Sequence, residues 1–371
     1  MRALRLMEWK SEPVLTEVPD PVPTGDAVVI RVGGAGACHS DLHLMHDFEP
    51  GTLPWKPPFT LGHENAGWVH TLGPMARGVE VGQPVAVVGA WGCGHCAHCR
   101  AGLETYCESP ADAPVPMGGG GLGLDGGMAE LLLVPSARHL VPLPDGLAPA
   151  VAAPLTDAAL TPYHAVRRSL PKLTPDATAL VLGVGGLGHL AIQILRAVCA
   201  ARVVAVDPRA AARDLATRAG ADAVLDPGEG GTGEGGAGEG GAGEVGTGEV
   251  AARVRDLTGG RGADVVLDLV GTDQTLRTGA AAARMLGDLS LVGLGGGTLP
   301  VSFFSLPYEL SVQTTYWGNR GELVEVLELA ARGLLRPEMT TVDLDHAAQT
   351  YRRLASGELT GRAVVVPSPA P

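Results

Sequence analysis

The chain has 371 residues, 45% of them hydrophobic, and a formal net charge of −13. That length suggests about two domains with sizeable cores. The negative charge argues against nucleic acid or an anionic membrane surface as partner, because both need a basic patch.

Met1-Arg2-Ala3-Leu4-Arg5 runs into Glu8 and Lys10 without a long apolar stretch. No export signal is therefore expected, and a cytoplasmic location is. The longest apolar region, 177–195, is cut by glycines, His189 and Gln193. It reads as strand, turn and helix rather than a membrane span.

In chain order, residues 1–36 read as short strands between turns, with Ala27–Val32 one of them. Cys38-His39-Ser40-Asp41-Leu42-His43 then opens a helical turn just past a strand. Residues 79–88 continue the β pattern, with Gly82-Gln83-Pro84 marking a turn before Val85–Val88, and 129–134 is another strand candidate. Residues 149–168 are Ala-rich and helix-prone. From there strands (179–182, 202–206, 223–225, 263–269, 289–292) alternate with helices (186–198, 210–219, 274–285), as in a parallel, doubly wound sheet. Helices at 321–332 and 344–355 and a strand at 362–366 complete the chain. Residues 228–249 repeat Gly-rich pentads with Glu at 229, 234, 239, 244 and 249. So little apolar surface cannot offset the entropy of ordering, so a flexible acidic insert is expected, with metal or partner binding by its glutamates the alternative. The Pro-Ser-Pro-Ala-Pro end reads as a frayed tail.

Three constellations carry chemistry. Cys93-x2-Cys96-x2-Cys99-x7-Cys107 sets four thiols in fifteen positions. Without an export signal such a cluster favours a metal over disulfides, and four thiolates close a tetrahedral shell around structural Zn²⁺. An iron–sulfur run wants its fourth Cys after three residues and then Pro; here it follows after seven and precedes Glu108, so zinc is preferred. His95 and His98 are competing donors.

Gly183-Val184-Gly185-Gly186-Leu187-Gly188 follows an apolar strand and opens a helix, and Asp207 closes the next strand. That is the context of a dinucleotide fingerprint. The glycines admit a pyrophosphate to backbone N–H groups and a helix N-terminus. Asp207 accepts from ribose hydroxyls and repels a 2′-phosphate, so NAD is favoured, with Arg209 and Arg213 weakening the preference. The third constellation joins Cys38 to His63 in Gly62-His63-Glu64 and to Asp157. Taken singly, these read equally as a buried thiol, a core histidine and a helix cap.

With these residues the chain resembles the medium-chain zinc-dependent alcohol dehydrogenase family over nearly its whole length. The stretch Pro154-Leu155-Thr156-Asp157 to His164, with Tyr316-Trp317-Gly318, is similar to the bacterial branch acting on secondary alcohols and ketones. The resemblance implies an α/β fold, with a Rossmann domain inserted in a β-rich, GroES-like catalytic domain. Residues 1–156 and 318–371 form the catalytic domain, residues 157–317 the NAD domain, and Asp157 lies at the hinge.

It further implies that Cys38, His63 and Asp157 hold a catalytic zinc with a fourth position open for an alcohol, while Cys93, Cys96, Cys99 and Cys107 hold a structural one. Asp41 would orient His63, and Glu64 would approach the metal during ligand exchange. Ser40 and His43 would carry the proton to solvent. His39, Thr161 and Arg362 would touch the cofactor beside Gly183, Gly185, Gly186, Leu187, Gly188 and Asp207. Trp55 and Trp317 would wall the substrate pocket, with Phe303 or Phe304 near it. The implied reaction is reversible hydride transfer between NAD and a primary or, preferentially, secondary alcohol, in a homodimer or homotetramer. The alternatives are a zinc-free quinone or enone reductase and a non-enzymatic NAD-binding protein.

Overall fold

The computed structural model describes residues 1–228 and 244–367. The Gly/Glu pentads up to residue 243 and the last four residues of the tail lie outside the described residues. The chain divides into two compact units, Met1–Leu160 with Trp317–Pro371, and Thr161–Tyr316. These borders place Asp157 and Trp317 both in the first unit.

The spine of the first unit is the strand Val28–Ala37, buried along almost its whole length. Glu64–Leu72 pairs antiparallel along one side of it. On the other side Leu131–Val134 pairs with its start and Arg362–Val365 with its end. Pro84–Val87, Leu140–Pro142 and Met339–Val342 extend this sheet. The run Gly33-Gly34-Ala35-Gly36 lies inside the spine strand rather than beyond it. Its glycines admit close neighbours: a Cβ at Gly33 would lie 2.5 Å from the Trp68 ring, and one at Gly36 would overlap the Glu64 carboxylate. Because Gly36 stands opposite Glu64, Cys38 and His63 emerge at the same end of adjacent strands. Leu4, Leu6, Ile30, Val32, Phe59 and Leu132 anchor the core beneath them.

The second unit is a parallel six-stranded sheet in the order Ala223–Leu225, Arg202–Val206, Thr178–Leu182, Ala263–Asp268, Ala283–Leu291, Ser311–Thr314. Numbered within the unit this is 3-2-1-4-5-6, the doubly wound order whose ligand crevice opens beyond the ends of strands 1 and 4. The two central strands are buried at every residue. That explains why Val, Leu and Ala dominate them, since helices cover both faces of such a sheet.

Four segments differ from the sequence-based expectations. The helix expected to reach Met285 is Asp273–Ala282, and Ala283–Leu291 is a strand. Pairing with Ala263–Asp268 overrides the helix propensity of the Ala-rich stretch, through a register shift and a left-handed Leu286. The helix-prone 149–168 splits into Pro149–Ala152, a 3-10 turn Ala153–Thr156 and Leu160–Ser169. Pro154 cannot donate to a continuing helix, and Asp157 falls in the break. Residues 79–81 are not strand, and Pro84, expected in the turn, opens the strand Pro84–Val87. Lastly, the insert expected to stay irregular to residue 249 is helical from Glu244, the start of Glu244–Leu257. Among the described residues no helix is long and apolar enough to cross a membrane.

Candidate functional site

Three separate elements bring one cluster together in the first unit. Cys38 is the N-cap of the helix His39–His46. His63 precedes the strand Glu64–Leu72, and Asp157 ends the 3-10 turn Ala153–Thr156. One ligand atom from each of Cys38, His63, Glu64 and Asp157 lies within 4.8 Å of the others. Asp41 holds the arrangement from behind. Its Oδ2 accepts from the Cys38 N–H at 3.1 Å, and its Oδ1 lies 3.1 Å from His63 Nδ1. With Nδ1–H on Asp41, His63 Nε2 is left as the donor facing the cluster, 3.5 Å from Asp157 Oδ2.

Two further groups complete this shell. The Tyr351 hydroxyl donates to Asp41 Oδ2 at 2.8 Å, with both residues buried. Sequence reading missed Tyr351, because a tyrosine on the apolar face of an amphipathic helix looks like ordinary core. Arg362 grips Glu64 through Nε at 2.9 Å and through Nη2, both side chains being buried. The resemblance put this guanidinium at the pyrophosphate; its partner in the structure is Glu64.

The electrostatics of the pocket favour a cation. Burial works against a charged His63, yet Asp41, Asp157 and Cys38 outweigh it and raise the ring's pKa well above the usual imidazole value. Burial, opposed by Arg362, pushes Glu64 up to about 7. A thiol, an imidazole and a carboxylate are ordinary zinc donors, and three of them leave a position open. The residues fit zinc.

Trp317 closes one side. Its indole meets the His63 ring edge-on, with centroids 5.7 Å apart, and its Nε1–H donates to Thr156 O at 2.8 Å. Its φ is +57°, a strained value for a bulky residue that costs on the order of 1–3 kcal/mol.

The second cluster is local. One sulfur each from Cys93, Cys96, Cys99 and Cys107 lies within 4.8 Å of the others, and all six cysteines of the chain are free thiols. Backbone N–H groups of Cys93, Cys96 and Cys99 donate to sulfurs of the set at 3.3–3.4 Å. N–H groups of Cys99 and Glu108 pull the Cys96 thiol down to about 6, whereas burial pushes Cys99 up to about 12. His98 Nδ1 bonds Tyr106 O and His95 lies beside Asp112, so the structure gives these imidazoles partners outside the four sulfurs. This donor set fits a closed tetrahedral metal site. Glu104 ties the lobe to the sheet: its carboxylate accepts from Gly92 N at 2.8 Å, from Arg138 and from His139 at 2.9 Å.

In the second unit the fingerprint glycines divide the work. Gly183 has φ +89°, and a Cβ there would lie 2.5 Å from Val270. A Cβ at Gly188 would overlap Gly183 O, so this glycine lets helix and strand pack closely. At Gly185 a Cβ would meet nothing within 4 Å, which leaves room for a ligand against the backbone. Asp207 Oδ2 accepts from Val184 N at 2.8 Å, and Arg209 forks onto both its oxygens at 3.1 Å. These donors outweigh burial and keep the carboxyl below its usual range.

The other expected residues scatter more. Ser40 Oγ lies 3.4 Å from Cys38 Sγ. His43 is half-buried, three residues on in the same helix, and pairs with Asp47. His39 is exposed, and Thr161 is buried in the second unit. Trp55 packs against Trp9 and Phe59 and over Gly123. Phe303 and Phe304 are 75% and 85% exposed and touch each other.

Comparison with known proteins adds an independent line. Residues 24–145 match the alcohol dehydrogenase GroES-like domain, and residues 186–332 match the zinc-binding dehydrogenase model. An NAD-dependent alcohol dehydrogenase of Sulfurisphaera tokodaii is 35% identical, over 99% of this chain and 100% of its own length. A D-arabinose 1-dehydrogenase (NADP(+)) of Saccharolobus solfataricus is 32% identical over 98% and 97%. The crystal structure of the alcohol dehydrogenase from Aeropyrum pernix superposes with a TM-score of 0.86 at 35% identity, covering 99% of this chain and all of that one. Full-length similarity at this level, on a fold that brings these donors together, places the chain in the medium-chain zinc-dependent alcohol dehydrogenase family.

Proposed function

We propose that the protein is an NAD-dependent alcohol dehydrogenase that interconverts primary or, preferentially, secondary alcohols and the corresponding aldehydes or ketones. The observation that carries this reading is the approach of Cys38, His63 and Asp157, from three distant elements, to within 4.8 Å. These residues would hold a zinc ion, and the four-cysteine lobe a second. When bound, zinc supplies a Lewis acid for the substrate oxygen and NAD supplies the hydride acceptor.

The chain's own residues do the rest. Asp41 holds the His63 proton at Nδ1, so the ring presents Nε2. Ser40 Oγ, beside Cys38, takes up the substrate proton, and His43, half-buried and paired with Asp47 at the solvent side, releases it to solvent. Glu64, balanced by Arg362, keeps a carboxylate next to the ligands and available for exchange. Gly183, Gly185, Gly186, Leu187 and Gly188 shape the pyrophosphate seat, and Asp207 receives the ribose hydroxyls. Because Arg209 already neutralises Asp207, discrimination against a 2′-phosphate is modest. Thr161 and His39 supply further cofactor contacts. Trp55 and Trp317 bound the substrate, and the working enzyme is a homodimer or homotetramer.

A panel of primary and secondary alcohols with NAD and NADP, run beside a metal assay, tests this. NAD-linked turnover with two zinc per chain is the expected result. Turnover without metal would identify a zinc-free reductase, and NAD binding without turnover a non-enzymatic protein. Strong NADP preference would overturn the role given to Asp207.

A further inference from the structure

We propose that Trp317 is a positioning residue for the Cys38, His63 and Asp157 metal centre, and that through Gly318 it couples that centre to the four-cysteine lobe. The proposal rests on the reading of this cluster as the catalytic metal site.

The argument starts from the backbone. Trp317 is 4% exposed and left-handed, φ +57°. A bulky side chain is held in that region only where its surroundings over-determine it, and such residues cluster at functional sites. The surroundings are specific. The Nε1–H donates to Thr156 O at 2.8 Å, the carbonyl of the peptide that leads into Asp157. Asp157 itself sits at φ −138°, ψ −58°, outside regular helix. The same indole meets the His63 ring at 82°. Gly89 makes the indole's position possible, since a Cβ there would overlap the ring. One side chain therefore bears on two of the three proposed ligands. A residue that only walled a substrate pocket would need neither the bond to a ligand-bearing peptide nor the left-handed backbone.

The next residue extends the connection. Gly318 O accepts from Thr105 Oγ1 at 3.0 Å. Thr105 lies between Cys99 and Cys107, inside the lobe. A Cβ at Gly318 would press to 2.7 Å from the Leu160 side chain, so glycine gives this passage its close fit. Asn319 then caps the helix Arg320–Ala331 through a reciprocal pair with Glu322, which anchors the segment from the far side. Two consecutive residues thus link the local thiol cluster to the dispersed one. Order imposed on the lobe by a metal is transmitted to the Asp157 peptide and the His63 ring.

The test titrates Co²⁺ and Zn²⁺ into the metal-stripped full chain against a competing chelator, following the Co²⁺ absorption of each site. Trp317→Phe keeps the apolar ring and loses the N–H. We expect affinity at the Cys38, His63 and Asp157 site to fall about tenfold, the low end of what such supporting contacts cost, with metal in the lobe retained. Thr105→Val touches no proposed catalytic ligand, yet is expected to weaken the same site severalfold and to add little on top of Trp317→Phe. Unchanged affinity in Trp317→Phe, with altered KM for bulky alcohols, would overturn the proposal and leave Trp317 a pocket wall. If Trp317→Phe does not fold, unchanged catalytic-site affinity in Thr105→Val overturns the coupling by itself. A parent protein that binds metal only in the lobe would overturn the functional reading, and this inference with it.

Discussion

The four-cysteine lobe draws its donors from fifteen consecutive positions, Cys93 to Cys107, whereas Cys38, His63, Glu64 and Asp157 come from three segments spread over the first 157 residues. The lobe needs little from its surroundings. Its own backbone N–H groups orient the sulfurs, and three of its four cysteines are only half-buried. The dispersed cluster is more deeply buried and cannot position itself. It depends on the register of two strands, on Asp41 behind His63, and on Tyr351 and Arg362 from the C-terminal part of the chain. A short loop brings four like donors together by itself; mixed donors from distant segments have to be assembled by the fold.

Single substitutions can break or sharpen that contrast. The largest effect on activity is expected from Asp157→Asn, which weakens one of the three proposed ligands. Turnover should fall about 10³-fold, corresponding to the several kcal/mol a Lewis acid supplies, while NADH binding, followed by fluorescence quenching, stays close to the parent's. An Asn variant as active as the parent would remove Asp157 from the site. Cys107→Ser should act on stability instead. One metal equivalent is lost, and the melting temperature drops by roughly 5–10 °C for a loss on the order of 2–4 kcal/mol. Retained zinc stoichiometry would show that the lobe holds none.

Tyr351→Phe is subtler. It removes one of the donors to the buried Asp41 carboxylate, with an expected stability cost of about 1–3 kcal/mol and a severalfold weaker metal site, read by chelator competition. No change in either would make Tyr351 plain core. The smallest effect concerns pH. His139 and Arg138, working against burial, hold Glu104 down at about 2. Its pKa in the fold is thus below the unfolded value near 4.5, so its contribution is complete above that value and is lost as pH falls from about 4.5 toward 2. Glu104→Gln should flatten this part of the stability curve, measured by urea unfolding. An unchanged slope would mean that the lobe is tethered by other contacts.

Legibility followed the range of the interactions. Five of the six strands were readable because buried parallel strands are continuous apolar runs, and the fingerprint because its glycines lie within six residues; the edge strand Ser311–Thr314, mostly exposed, carries no such run and was missed. The break at Pro154 and Asp157 was hidden in an Ala-rich stretch, and the strand Ala283–Leu291 was masked by helix propensity that sheet pairing overrode. Arg362 was matched to a cofactor contact from sequence; that its guanidinium also pairs with the buried Glu64 carboxylate was not legible there.

By itself the sequence determined the donor types, the spacing of the four-cysteine lobe, the phosphate-seat glycines and the acidic residue closing the second strand of the nucleotide unit. These depend on neighbours a few residues apart, whose geometry the local chain dictates. Only the tertiary structure decided that Tyr351 backs Asp41, that Arg362 turns to Glu64, and that Trp317 bears on His63 and on the peptide entering Asp157. Those contacts join residues far apart in the chain, and no local pattern records which distant side chain a buried charge will find.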